Sequence, residues 1–232
     1  DKCSTTNETL KGECNNSPID SSDIDLALRY TQKSQKNEFG FFSAFEANSL
    51  YSSGRDYFAG RYRRNISELK GSVGYMLTAV DRPSISREAY VHTIDFDFKP
   101  SKPTRVYGWL SQSNIKNGPN DIDGTGARVV VTRGFSDQLF VLGALNYLDE
   151  DFDINDMGYM EENNKISLGG YLQYINPVKD KNSKISQTIF RVNGGHNRST
   201  EGYGSGLGIN TELEFFMSCL LYTSPSPRDP RE

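Results

Sequence analysis

Residues 87–99 read REAYVHTIDFDFK, and their alternation decides the fold. The even positions Tyr90, His92, Ile94, Phe96 and Phe98 are aromatic or apolar, while Thr93, Asp95, Asp97 and Lys99 fill the odd ones. Successive side chains of a strand point to opposite faces, so a period of two gives one greasy face and one wet face. The same split recurs on both sides of this stretch. In 23–33, Ile24, Leu26, Leu28 and Tyr30 oppose Asp23, Asp25 and Arg29. In 164–176, Ile166, Leu168, Leu172 and Tyr174 oppose Lys165, Ser167, Tyr171 and Gln173, and in 203–216 Leu207, Ile209, Leu213 and Phe215 oppose Asn210, Glu212 and Glu214. Weaker alternation at 39–50, 56–66, 71–81, 104–114, 124–135, 138–148 and 184–196 brings the expected total to about eleven strands. The fold class is therefore all-β, antiparallel and up-and-down.

Strand length then narrows the architecture. Most of the stretches run 10–13 residues, whereas strands of ordinary globular domains average about 5–6 and a tilted strand crossing a bilayer needs about 9–11. The connections alternate as well: short turns are expected on one rim, and the segments 51–55, 83–86, 115–123, 149–163 and 198–202 on the other. Short turns facing longer loops is the build of an outer-membrane barrel. No stretch approaches the roughly 18 consecutive apolar residues of a spanning helix, and a mean hydropathy of −0.62 says nothing against a barrel, whose strands are apolar only at alternate positions. Gly (21 residues), Tyr (13) and Phe (13) supply turn and strand formers in quantity. The expectation is a transmembrane β-barrel fragment over residues 23–217, its lipid face carrying Leu26, Leu28, Ile94, Phe96, Leu168 and Leu172 and its lumen face Arg29, Arg61, Arg63, Asp95, Asp97 and Glu212. The competing reading is a soluble secreted β-sandwich that binds a glycan or a partner surface through exposed aromatics.

The ends read differently. Cys3 and Cys14 bracket a polar stretch, and a disulfide between them would close a small loop within residues 1–22 in an oxidising compartment. After Phe216 the alternation stops and Pro225, Pro227 and Pro230 follow closely; no strand continues through such a run. Residues 218–232 resemble translated adapter sequence and are expected to be a non-native tail, which removes Cys219 from any redox argument.

Candidate chemistry is sparse. The acidic run from Asp151 offers Asp153, Asn155 and Glu162 at the ligand spacing of a calcium loop, but Asp156 stands where that loop needs Gly, so a solvated acidic loop is expected. His92 lies on an apolar strand face, as an interfacial residue would, and His196 reads as a loop residue after Gly194 and Gly195. The Gly-rich stretch 202–208 lacks the Lys-Ser/Thr ending and the following helix of a phosphate-binding loop. Arg61, Arg63 and Arg64 flank an aromatic, yet the net charge of −4 argues against nucleic acid as a partner. No nucleophile–base–orienter set can be assembled, so neither an enzyme nor a cofactor is expected.

Three segments resemble a known family: SSGRDYFAGRY at 52–62, AVDRPSISREAYVH at 79–92 and, most specifically, DFDINDMGYM at 151–160. They are similar to an uncharacterised family of bacterial envelope proteins whose members join an N-terminal carbohydrate-binding-like module of the family-9 type to a C-terminal outer-membrane β-barrel. The likeness covers roughly residues 20–216. It implies a bacterial outer-membrane location, the lipid bilayer as partner, and passage or docking of a carbohydrate or other hydrophilic solute, or display of the module. It also implies that Cys3 and Cys14 pin an outer loop, and it lends no catalytic residue.

Overall fold

A computed structural model describes residues 24–47, 54–178 and 183–217. The expected Cys3–Cys14 loop and the 218–232 tail lie outside these residues. The chain forms β1 (Ile24–Lys33), β2 (Asn37–Glu46), β3 (Asp56–Ile66), β4 (Gly71–Arg82), β5 (Arg87–Ser101), β6 (Thr104–Asn117), β7 (Asn120–Gly134), β8 (Leu139–Leu148), β9 (Lys165–Pro177), β10 (Ile185–Arg198) and β11 (Gly204–Met217). All eleven belong to one sheet in sequence order, each antiparallel to its neighbours, with β1 and β11 as its two edges. A sandwich would divide the strands between two packed sheets. The described residues form a single sheet, and it does not close on itself. Strand lengths run from 10 residues in β1 to 15 in β5, the upper range of what strands adopt.

One expected loop is absent. The 115–123 segment is not a long connection: Asn117 pairs with Asn120 and only Gly118 and Pro119 lie between the strands. Gly118 sits at φ +62, the left-handed value that the first central residue of a II′ hairpin turn requires, and Pro119 follows without needing a donor. The Gly-Pro pair tightens the hairpin.

The register carries the sequence alternation across the whole sheet. Paired residues share a face, so the ladder Phe39–Tyr62–Tyr75–Ile94–Leu110–Ala127–Tyr147–Ile166 runs along one side of β2 to β9. The ladder Gly40–Arg61–Met76–Thr93–Ser111–Gly126–Leu148–Lys165 runs along the other. The apolar face is the exposed one. Leu28, Ile94, Leu110, Leu168, Ile209 and Leu213 all stand open on it, Leu168 at 61% and Ile209 at 67% exposure. The buried strand residues Ala44, Val80, Ala89, Ile115, Val130 and Ile189 lie on the opposite, charged face, together with buried Ser72, Ser111 and Ser113. Among the described residues no second layer covers that face, so its burial comes from side-chain crowding along the sheet and from the β8–β9 connection folded onto it. Water-soluble sheets bury their apolar face and expose the polar one; this sheet does the reverse.

Tyrosines mark both ends of the apolar band. Tyr30, Tyr62 and Tyr174 stand near the rim of the turns at 34–36 and 67–70, and Tyr90 and Tyr147 near the opposite rim. Tyr62 donates to Asn37 Oδ1 at 2.9 Å, and Tyr30 packs against Phe41 with ring centroids 5.9 Å apart.

Candidate functional site

The charged face is where strand parity collects the chemistry-bearing side chains. Arg29, Arg61, Arg63, Asp95, Asp97 and Glu212 all fall on it. The structure brings only some of them together. Arg61 Nη2 donates to both carboxylate oxygens of Asp95 at 2.8 Å, although β4 lies between their strands. Gly74 makes this reach possible: it sits directly opposite Asp95, and a Cβ there would stand 2.5 Å from Asp95 Oδ2. Arg63 instead binds Ser72 Oγ through Nε at 2.9 Å and Nη2 at 2.7 Å. Asp97 takes a forked pair from Arg105, at 2.8 and 2.7 Å. Glu212, on the far edge strand, accepts from Arg191 at 3.2 Å, and that guanidinium also reaches Glu214 at 2.5 Å and Gln173 at 3.0 Å.

Arg29 borders an open concavity of about 470 Å³ on β1 to β4, together with Lys33, Glu38, Phe42, Arg61 and Arg63. Lys33 and Glu38 pair across its rim at 2.7 Å. The concavity is polar at its charged walls and aromatic at Phe42, a combination that suits a hydrated solute with an apolar ring face.

The β8–β9 connection is a solvated acidic loop at Glu150, Asp151, Glu161 and Glu162, as expected, but its middle is packed on the sheet. Residues 149–164 fold back over the charged face of β4 to β7. Phe152 is 2% exposed and lies on Trp109 with centroids 6.3 Å apart and planes 20° from parallel. Gly124 and Gly126 hollow its seat: a Cβ on Gly124 would meet Phe152 N at 2.2 Å, and one on Gly126 would meet the Phe152 ring at 2.8 Å. Asp153 N donates to buried Ser113 Oγ at 3.1 Å. Arg87 then clasps the far part of the loop, its Nε and Nη2 donating to the two oxygens of Asp156 at 3.0 and 2.6 Å. Ile154, Met157 and Gly158 roof a small cavity of about 240 Å³ floored by Met76, Thr78, Val91, Thr93 and Ser111. The oxygens of the calcium-like spacing are engaged within the protein: Asp153 Oδ1 accepts from Asn155 N and Nδ2, both at 2.8 Å, and Asn155 Oδ1 from Met160 N at 2.8 Å. At the loop's exit, Glu162 hydrogen-bonds Lys165 at 2.7 Å, and that ammonium holds its carboxyl below the usual carboxylate range.

The histidines resolve as follows. His92 lies on the apolar face, where its Nδ1 is 2.8 Å from the Tyr75 hydroxyl. His196 is not a loop residue: β10 continues through it to Arg198, it pairs with Leu207, and its Nδ1 lies 3.0 Å from Gly206 O. The 202–208 glycines mostly belong to β11, with Gly206 at φ +88 beside the register shift at Asn197.

Sequence reading missed Arg105, Arg191, Arg87, Asp156, Phe152 and Trp109 as parts of this face. Strand parity alone places Arg105, Trp109 and Arg191 there; Phe152 and Asp156 carry no periodic signal.

Residues 67–220 match the model of a family described as Domain of unknown function (DUF5916). No curated protein and no solved structure matches the chain.

Proposed function

The chain belongs to the DUF5916 family, and we propose that its eleven strands are part of a bacterial outer-membrane β-barrel, with the apolar face against lipid and the charged face lining an aqueous interior. The activity proposed is non-enzymatic: passage or docking of a hydrophilic solute such as a carbohydrate, or support of an exported carbohydrate-binding-like module. One observation carries the reading. A single sheet of 10- to 15-residue strands exposes most of its large apolar side chains on one face across its full width, while its ion pairs, apart from Glu88–Lys116 beside the 118–119 turn, collect on the other. Contiguous apolar surface on that scale marks a membrane or protein contact, and strand length, tyrosine placement and an interior of paired charges favour the membrane.

The test is a cysteine scan of residues 94–97 in the full chain inserted into phosphatidylethanolamine–phosphatidylglycerol vesicles, with Cys3, Cys14 and Cys219 replaced by Ser. A water-soluble maleimide is expected to label Asp95→Cys and Asp97→Cys and to spare Ile94→Cys and Phe96→Cys. Equal labelling of all four positions would sink the membrane assignment in favour of a soluble sheet.

A further inference from the structure

We infer that residues 149–164 are an inward-folded constriction of the passage, seated on the barrel wall by Phe152 and clasped by Arg87, and that this segment governs which solutes reach the wall beneath it. The inference rests on the barrel reading above. Three independent contacts hold the segment to the charged face: an aromatic stack, a backbone hydrogen bond and a forked ion pair. The wall is also shaped to receive it, because Gly124 and Gly126 occupy the two positions where a side chain would displace Phe152. A connection that merely linked two strands above the rim would need no such notch.

The charge of the segment gives the filter a sign. Residues 149–163 hold Asp149, Glu150, Asp151, Asp153, Asp156, Glu161 and Glu162 and no Lys or Arg. Arg87 engages Asp156 and lies 4.0 Å from Asp153, Lys165 engages Glu162, and Glu150 and Asp151 stand exposed. Arg82, beside Arg55, also acts on Asp156; the segment's seven carboxylates still outnumber Arg55, Arg82, Arg87 and Lys165 around it, so a solute approaching the cavity under the segment meets a net negative border, which favours cations over anions.

Ser111 reads this directly, since it is 4% exposed and floors the cavity roofed by Ile154 and Met157. In the full chain in the same vesicles and Cys-free background, Ser111→Cys is labelled with a cationic and an anionic methanethiosulfonate. Asp97→Cys, on the same face and away from the segment, is the reference. Labelling of Ser111→Cys is expected to be at least tenfold slower than the reference, and the cation-to-anion rate ratio several-fold higher. Releasing the segment with Phe152→Ala plus Asp156→Asn, or with Arg87→Gln alone, should bring the rate within about twofold of the reference. Labelling of Ser111→Cys as fast as the reference with the native segment overturns the constriction, as does protection that persists after release. An unchanged charge ratio overturns the filter. If Asp97→Cys itself is unreactive, the barrel reading has failed, and the inference falls with it.

Discussion

Replacing Phe96 by Arg separates a lipid-facing sheet from a water-facing one by energy alone. Phe96 lies on the apolar face of β5, opposite Val73 and Gly108, with its ring stacked on Phe98 at 5.9 Å and 19°. Its position is far from both ends of the strand, so in a bilayer it sits near the middle of the hydrocarbon. There an arginine costs about 2–4 kcal/mol, and loss of the ring stack adds about 0.5–1.5 kcal/mol. In water the arginine side chain would be hydrated, leaving the stack and a fraction of apolar burial, about 1 kcal/mol in all. Asp97→Asn is the neighbour on the other face. Its ion pair with Arg105 is half open to solvent, the side chains being 25% and 49% exposed, so its loss costs about 0–1 kcal/mol. Tyr90→Arg, close to the rim, should fall to about 0–1 kcal/mol by the depth dependence of such insertions. Trp109, the single tryptophan, reports unfolding by fluorescence in a urea titration of the vesicle-inserted chain. The expected order places Phe96→Arg well above the other two, about tenfold or more in the folding equilibrium at 1.4 kcal/mol per decade. Equal costs for all three would refute the bilayer placement.

The remaining predictions concern the charged face. Gly124→Ala should destabilise by about 1–3 kcal/mol as overpacking against the Phe152 backbone and change Trp109 emission, while Gly143→Ala, whose Cβ would meet nothing within 4 Å, should leave both nearly unchanged. Gly74→Ala should weaken the Arg61–Asp95 bridge by forcing Asp95 aside; a double-mutant cycle between Arg61 and Asp95 should show smaller coupling in its presence. A cycle between Arg87 and Asp156, whose side chains are 20% and 10% exposed, should give stronger coupling than one between Arg105 and Asp97, read from urea midpoints, because screening falls with burial. Gly118→Ala should slow refolding and lower the urea midpoint, since an L side chain at φ +62 is strained.

Much of this architecture was legible because strand parity is a local rule. Alternation in 87–99 sorts Asp95 and Asp97 from Ile94 and Phe96 without knowledge of any neighbour, and the register repeats that sorting from strand to strand. Pairing of charges was not legible. Arg61 bridges to Asp95 across an intervening strand, which depends on the relative stagger of three strands and on a glycine in the middle one. The 115–123 segment misled because Gly and Pro both read as breakers, although in the order Gly118-Pro119 they suit a two-residue turn. The glycine pair before His196 misled in the same way. In the sheet Gly194 and Gly195 face Gly170 and Gly169 on β9, so the ladder continues where sequence suggests an end. The seat of Phe152 lay beyond sequence reading, since a non-periodic loop gives no face and Gly124 and Gly126 look like ordinary strand glycines until something is found lying on them.

That seat also explains how the acidic segment keeps one definite place on the charged face. Arg61 and Asp95, Arg105 and Asp97, and Arg191 with Glu212 and Glu214 pair within the sheet, while Arg29, Arg63, Arg82 and Arg128 lie on the same face outside these pairs and leave it attractive to a negative loop. Arg87 holds Asp156 directly and Arg82 acts on it from nearby, but neither general attraction nor one ion pair fixes where so many residues lie. Apolar burial supplies the second anchor. Phe152 provides it, sinking into a gap made by two glycines and flanked by Trp109. A fully buried phenylalanine contributes about 1.5–3 kcal/mol, enough to hold the loop down and small enough that losing the Arg87 clasp would let it lift. The charged residues therefore set where the segment points and what it repels, while the single aromatic and the Arg87 clasp together set whether it stays.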